Sequence, residues 1–400
     1  MLPPAGAGSA LPSGHVPPGM VQPSGVLLAD VRLTAGASSS NEVLVLLPSV
    51  FNPRRNSLNA LRLGLALLVI VSHSAALGGY GPEILVSGET LGRWAVFGFF
   101  GISGFLITRS RLSGRPVSDY YAARVLRIFP AFVLSLLLVA FVMAPLSHFF
   151  GSNGTYRPVE AITFFFRNLA LYPPVAGQPS IADTLSFGVA VPDTWNGSLW
   201  TIWYEAACYV AIGVLVSIVA KKYVGRVLLA AFVTLTGLRL LSSLEVVALG
   251  QLTNGVLPLA IAFLAGALLH IYANRIGVNP MSVSAAVALV VVSTWMNLAS
   301  ALVHLPFTFL LILLGQVLPL QSIGAKYDIS YGVYIYAWPV QQCLALAYPH
   351  QSIPYWAFIS ATVGIVAALA WLSCKFIEQP ALRLKRRTPE QHAVPVSAVT

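Results

Sequence analysis

From Arg54 onward the chain alternates long apolar runs with short polar breaks. The runs are Leu58–Leu77, Leu91–Ser110, Val125–Leu146, Ser198–Ala220, Val224–Leu244, Gly255–Tyr272, Met281–Leu298, Ala301–Leu318, Ile329–Leu346 and Tyr355–Phe376. Each holds about 18–23 residues, close to the ~20 that a helix needs to cross a hydrocarbon core of ~30 Å. Several contain Gly or Pro, which membrane helices tolerate. The pattern predicts an all-α, polytopic transmembrane helical bundle of about ten membrane-spanning helices. Ala161–Tyr172 is also apolar but shorter, and is expected to be an interfacial or re-entrant helix within a long external loop, Ser147 to Gly197. Eleven crossings is the alternative count.

Basic residues orient the spans. Arg54-Arg55, the stretch from Arg109 to Arg127, Lys221-Lys222 with Arg226, Arg275, Lys326, and Lys375 to Arg387 fall at alternate ends of the runs. Placing all of them on the cytoplasmic side gives ten crossings with both termini cytoplasmic. An eleventh crossing at 161–172 would put Lys221-Lys222 outside. Residues 1–53 form a Pro-, Gly-, Ala- and Ser-rich tail without a charged n-region, read as disordered or, if translation starts at Met20, as partly a gene-model artefact. The transmembrane domain is 54–385, followed by a cytoplasmic tail, 386–400.

Composition agrees. The chain is 57% hydrophobic and 9% charged, against roughly 25% charged in an ordinary globular protein, so a large water-facing surface cannot be built. The formal net charge of +10 belongs to cytoplasmic loops and is not read as nucleic-acid binding. Cys208, Cys343 and Cys374 have no disulfide spacing, and no CxxC or HxxxH pair suggests a metal site.

Ionisable residues inside apolar spans are costly and are the candidates for chemistry. Arg62 and His73 lie eleven residues apart in the first run, on one face and ~16 Å apart along a helix axis. Arg62 can also snorkel to the interface, and His73 can serve in packing; imidazole is also the side chain able to take and return a proton near neutral pH. In Phe99-Phe100-Gly101-Ile102-Ser103-Gly104-Phe105 the small residues form a face for close helix approach. Arg124 and Arg127 share a face at i, i+3 at the cytoplasmic start of a span; topology alone accounts for two arginines, and paired guanidinium forks also suit a phosphate. Trp195, Trp200 and Trp203 fit an interfacial aromatic belt, whereas Glu205, two turns into its span, needs a partner such as His73 or an arginine. Tyr331, Tyr334 and Trp338 stack at helical spacing beside Ser330, and Glu378 ends the last span near a basic cluster.

These segments occur in a fixed order: Arg62 with His73, the Phe-Phe-Gly-Ile-Ser-Gly-Phe run, Arg124-x-x-Arg127, Ser198-Leu199-Trp200 through Glu205, Ile329-Ser330-Tyr331, and Ile377-Glu378-Gln379-Pro380. Over about residues 54 to 385 the set resembles the membrane-bound acyltransferase 3 family, the bacterial polysaccharide O-acyltransferases. The resemblance implies transfer of an acyl group, usually acetyl, from cytoplasmic acyl-CoA to a sugar hydroxyl of a glycan or glycolipid at the outer face of the bacterial cytoplasmic membrane. It places the family's essential first-helix His on His73, its acyl-CoA-engaging pair on Arg124 and Arg127, and its first-helix Arg on Arg62. Trp200, Ser330 and Tyr331, within the motifs, are expected to contact substrate. Many members carry His where this chain has Ala337, so that position is given no role.

The expected mechanism docks acyl-CoA on Arg124 and Arg127, with Arg62 nearby, and uses His73 as general base or transient acyl carrier, oriented by Glu205. No permanently bound cofactor and no metal is expected, and the oligomeric state is open. A secondary transporter using the same buried Arg, His and Glu residues is the competing reading, and a non-catalytic subunit of a glycan-assembly machine is a third.

Overall fold

The computed structural model describes residues 46–384, apart from 153, 172–179 and 187. Every expected span has a helical counterpart. In chain order the main helices are α1 (Leu58–Leu77), α2 (Leu91–Leu112), α3 (Val117–Leu138), α4 (Pro158–Leu169), α5 (Leu199–Ile218), α6 (Lys221–Ser243), α7 (Gln251–Ile271), α8 (Pro280–Trp295), α9 (His304–Val317), α10 (Ser330–Ala347) and α11 (Tyr355–Ser373). The described strands are a two-residue hairpin, β1 (Leu85–Val86) with β2 (Glu89–Thr90). Among the described residues seven helices are long and apolar enough to cross a membrane, with α3 and α11 prolonged to Phe149 and Arg383; α8 and α9 are shorter apolar helices. The protein is an all-α, multi-pass membrane protein.

Local sequence accounts for the helix starts. Thr90 caps α2, its hydroxyl accepting the Arg93 amide at 3.1 Å. Asn279 and Ser282 form a reciprocal capping box ahead of Pro280 in α8. Helix α4 begins at Pro158 and has 12 residues, about 18 Å, too short to cross. Its exposed Val159, Ile162 and Phe166 oppose buried Ala161 and Phe164, in keeping with the non-spanning role expected of this segment. Tyr172 lies outside the described residues. The run expected at Ala301–Leu318 breaks into Ala299–Leu302 and α9, joined at Val303.

The small-residue face of α2 is used for packing. A Cβ on Gly104 would lie 1.9 Å from the Phe263 carbonyl oxygen of α7, and one on Gly266 of α7 would lie 1.9 Å from the Gly101 carbonyl oxygen. The two backbones therefore touch, and side chains are excluded from the seam.

The packed chain begins earlier than the expected boundary at Arg54. Leu47 is buried and its amide donates to the Ile276 carbonyl at 3.0 Å; Phe51 packs edge-to-face on Phe105 at 5.1 Å. These apolar side chains find a groove to fill, which a disordered tail would leave in water. The remainder of the expected N-terminal tail and the C-terminal tail lie outside the described residues.

Candidate active site

Helices α1 and α10 run side by side and in the same direction from the basic end of the bundle. Gln341 of α10 fixes them together, donating to the Ile70 carbonyl at 3.0 Å and to Ser74 Oγ at 2.8 Å. Arg62 and Asp328 meet near the start of this pair: Arg62 Nη1 lies 3.4 Å and Arg127 Nη2 2.5 Å from Asp328 Oδ2. At the far end, His73 packs edge-to-face on Trp338, ring centroids 4.9 Å apart. Ten residues separate Asp328 from Trp338 and eleven separate Arg62 from His73, so both helices measure about 15–16 Å between the two clusters.

The arginine end forms a cavity of about 200 Å³ lined by Arg62, Ser103, Arg124, Arg127, Tyr209 and Leu382, among others. The two arginines of the i, i+3 pair are not equivalent. Arg127 shares Asp328 with Arg62, whereas Arg124 has no carboxylate partner among the described residues and rests near the faces of Tyr120 and Tyr209, 5.9 Å from each centroid. Burial pushes the Asp328 carboxyl up, but Arg127, Arg62 and the hydrogen bonds from Ser330 outweigh it and hold it at about 2. Ser330, expected at a substrate, serves this clamp: its hydroxyl donates to Asp328 Oδ1 at 2.6 Å. Tyr331 is buried, and its hydroxyl has no partner among the described residues. Trp200 packs edge-to-face on Tyr204 at 5.7 Å.

Between the ends, α10 presents Tyr331, Tyr334 and Trp338 along one face. Tyr334 lies 5.7 Å from Phe99, and its hydroxyl is 2.6 Å from Thr201 Oγ1.

At the other end, His73 has a carboxylate partner that is not Glu205. His73 Nδ1 lies 3.0 Å from Glu83 Oε1, and the Ser72 hydroxyl donates to Glu83 Oε2. Burial pushes the Glu83 carboxyl up, but the hydrogen bond and charge of His73 with the Ser72 hydroxyl outweigh it, leaving it below the ordinary carboxylate value. The ionised carboxylate fixes the ring with Nδ1–H toward Glu83, and Nε2 is engaged by no described residue. The α2 backbone closes on the same ring: a Cβ on Gly92 would lie 3.3 Å from His73 Cε1.

Glu205, expected to orient His73, instead accepts from Ser103 at 3.2 Å and from the Tyr209 hydroxyl. Gly92 and Ser103 are eleven residues apart on α2, about 16 Å, so Glu205 belongs to the arginine end. The cause is the segment before α5. Trp338 Nε1 and Gln342 Nε2 both donate to the Thr194 carbonyl, at 3.0 and 2.9 Å, and Gly197 lies against the Trp338 ring, where a Cβ would come within 2.6 Å. Helix α5 therefore starts at the level of Trp338, and two turns on it has passed His73. Glu83 escaped the sequence reading because it stands outside every apolar run, in Gly-Gly-Tyr-Gly-Pro-Glu. The available signal was an acid ten residues after His73, on a turn short enough to fold back. Asp328 carried a similar signal, an acid directly before a span in a bundle with arginines inside its helices.

No solved structure matches the chain. An O-acetyl transferase of Shigella phage Sf6 is 28% identical over 328 residues, covering 80% of this chain and 94% of the relative. Nodulation protein 10 of Rhizobium leguminosarum bv. viciae is 26% identical over 368 residues, covering 83% and 94%. The profile of the acyltransferase 3 family, an acyltransferase domain, matches residues 55–374, a range that includes Arg62, Arg124, Arg127 and the His73–Glu83 pair. The chain thus belongs to the acyltransferase 3 family and is a multi-pass membrane acyltransferase.

Proposed function

We propose that this protein is an O-acetyltransferase of the bacterial cytoplasmic membrane. It takes acetyl from acetyl-CoA entering at the basic, cytoplasmic end and delivers it to a hydroxyl of a carbohydrate or glycolipid acceptor at the opposite face. The observation that carries this reading is the spacing of the two clusters. An arginine cavity and a histidine–carboxylate pair lie about 15–16 Å apart along α1 and α10. From its phosphate to its sulfur, phosphopantetheine is a chain of about thirteen bonds, ~16 Å when extended at backbone-like bond lengths. A phosphate held at Arg124, the cavity arginine without an acid partner, thereby brings the thioester to His73. The positive-inside rule supports the orientation, and the phage relative named as an O-acetyl transferase supports acetyl as the group moved.

His73 Nε2 accepts the proton of the acceptor hydroxyl as its oxygen attacks the thioester carbonyl. The new C–O bond forms, the C–S bond breaks, and the imidazolium returns the proton to the departing CoA thiolate. Glu83 holds Nδ1–H and stabilises the imidazolium. The test is release of CoA thiol from acetyl-CoA by purified protein in nanodiscs with a mixed pool of glycan acceptors. Wild type should release thiol in an acceptor-dependent manner, and His73→Ala should lose this while remaining monodisperse. Unchanged release by monodisperse His73→Ala would overturn the assignment.

A further inference from the structure

A second cavity continues the line of the site beyond His73, on the side away from the arginines. It has a volume of about 300 Å³ and three walls. Leu77 to Gly79 at the end of α1 form one, the end of α10 with Tyr348, His350 and Gln351 forms another, and the loop Gly188 to Ala190 forms the third. Leu77 is one turn past His73 on α1, about 6 Å along the axis, and Ala345 is two turns past Trp338 on α10, about 10 Å. The helices that flank the histidine thus become the walls of this cavity.

Its chemistry contrasts with that of the inner cavity. Among the described residues no Asp, Glu, Lys or Arg lines it, whereas three arginines line the other. The guanidinium groups that suit an anionic ligand at the inner cavity have no counterpart in this lining. The lining offers the ring of Tyr348, 44% exposed, the imidazole of His350, the amide of Gln351 and the backbone groups of a glycine turn. Gln351 Nε2 donates to the Gly79 carbonyl at 2.7 Å, tying two walls together. Across the narrow side Gly79, at φ +74°, faces Ala190, where an added Cβ would sit 3.8 Å from the Ala190 methyl. His350 and Gln351 are held at φ +55° and +59°, two successive residues in a left-handed conformation that is uncommon outside glycine and that His adopts more readily than Gln.

An aromatic face beside uncharged donors and acceptors, in a volume at the lower end of those that bind small ligands, suits a neutral polyhydroxylated ring: its C–H face on Tyr348 and its hydroxyls toward Gln351, His350 and the backbone. The geometry points to this cavity as the acceptor subsite, taking an uncharged pyranose unit whose reactive hydroxyl reaches inward to His73. This inference rests on the acetyltransferase reading above and adds the place and the charge of the acceptor.

The experiment uses the full chain in nanodiscs with methyl glucopyranoside, mannopyranoside, galactopyranoside and rhamnopyranoside as probes. Binding is read by saturation-transfer NMR, and acetyl transfer from acetyl-CoA is followed in parallel. Tyr348→Ala and Gln351→Ala should each raise the KM for the accepted glycoside about five- to tenfold, and Ala190→Trp, which fills the cavity, should abolish glycoside binding. Affinity for acetyl-CoA, read at the other end of the bundle, should stay at the wild-type value and certifies the fold of each variant. Transfer by wild type with unaltered KM in Tyr348→Ala and Gln351→Ala would overturn the subsite and leave the acetyltransferase standing. Absence of binding of every glycoside to wild type would overturn the subsite together with carbohydrate as the acceptor.

Discussion

Replacing Glu83 with glutamine separates two placements of the carboxylate that serves His73. Glutamine keeps the shape and one acceptor oxygen but removes the charge. A hydrogen bond to a charged group is worth about 1.5–3 kcal/mol and a neutral one about 0.5–1.5 kcal/mol. The side chains of His73 and Glu83 retain 21% and 18% exposure, so solvent screening places the effect in the lower half of that range. Losing the charge should therefore cost about 0.7–1.4 kcal/mol in the transition state, a three- to tenfold fall in kcat, and Glu83→Ala about 10–30-fold. The assay is thiol release from acetyl-CoA with saturating acceptor. Glu83→Gln should lower kcat and leave the KM for acetyl-CoA unchanged. Glu205→Gln should instead raise the KM for acetyl-CoA and leave kcat near the wild-type value. A lowered kcat in Glu205→Gln together with a wild-type kcat in Glu83→Gln would refute the argument.

Other perturbations test the rest of the site. Arg124→Ala should weaken acetyl-CoA binding by tenfold or more without lowering the unfolding temperature, as calorimetry would show. Arg127→Ala removes the 2.5 Å partner of Asp328 and should also cost about 2 kcal/mol of stability, since a largely buried carboxylate is left with the longer Arg62 contact alone. Asp328 is held at about 2 against an ordinary 3.8, so its contribution, about 2 kcal/mol, is present above the ordinary value and lost as pH falls through the depressed one. The difference in melting temperature between wild type and Asp328→Asn should accordingly shrink below about pH 4. Gly104→Ala must move α2 from α7, because its Cβ would lie 1.9 Å from a carbonyl oxygen; a loss of at least about 1–3 kcal/mol is expected in thermal unfolding. An undiminished melting temperature would mean that the seam is looser than its geometry.

Legibility in the sequence followed the range of the physics involved. Apolar run length is a local property, and it located the helices; α1 was expected and found at Leu58–Leu77. The closeness of Gly101 and Gly104 to another helix was legible for the same reason, since a residue without a side chain announces a surface that something can touch. Arg62 and His73 stood out because an ionisable group in an apolar run is costly wherever the run ends up, and Arg124 and Arg127 because they share a face where a run begins. The order of motifs then carried the family.

Tertiary structure alone decided the pairing of these groups. Asp328 meets Arg62 across 266 residues and Arg127 across 201, and hydropathy says nothing about which charges meet at such separations. Glu205 lies at the arginine end, with Ser103 and Tyr209, because Trp338 and Gln342 draw the segment before α5 into the bundle, a depth set by hydrogen bonds from another helix. Glu83 belongs to His73 because a turn returns it over the end of α1, although no apolar run contains it. Composition and periodicity measure what a segment prefers as its surroundings. The neighbours that supply those surroundings are fixed only when the helices pack, and the partners of both His73 and Arg127 are of that second kind.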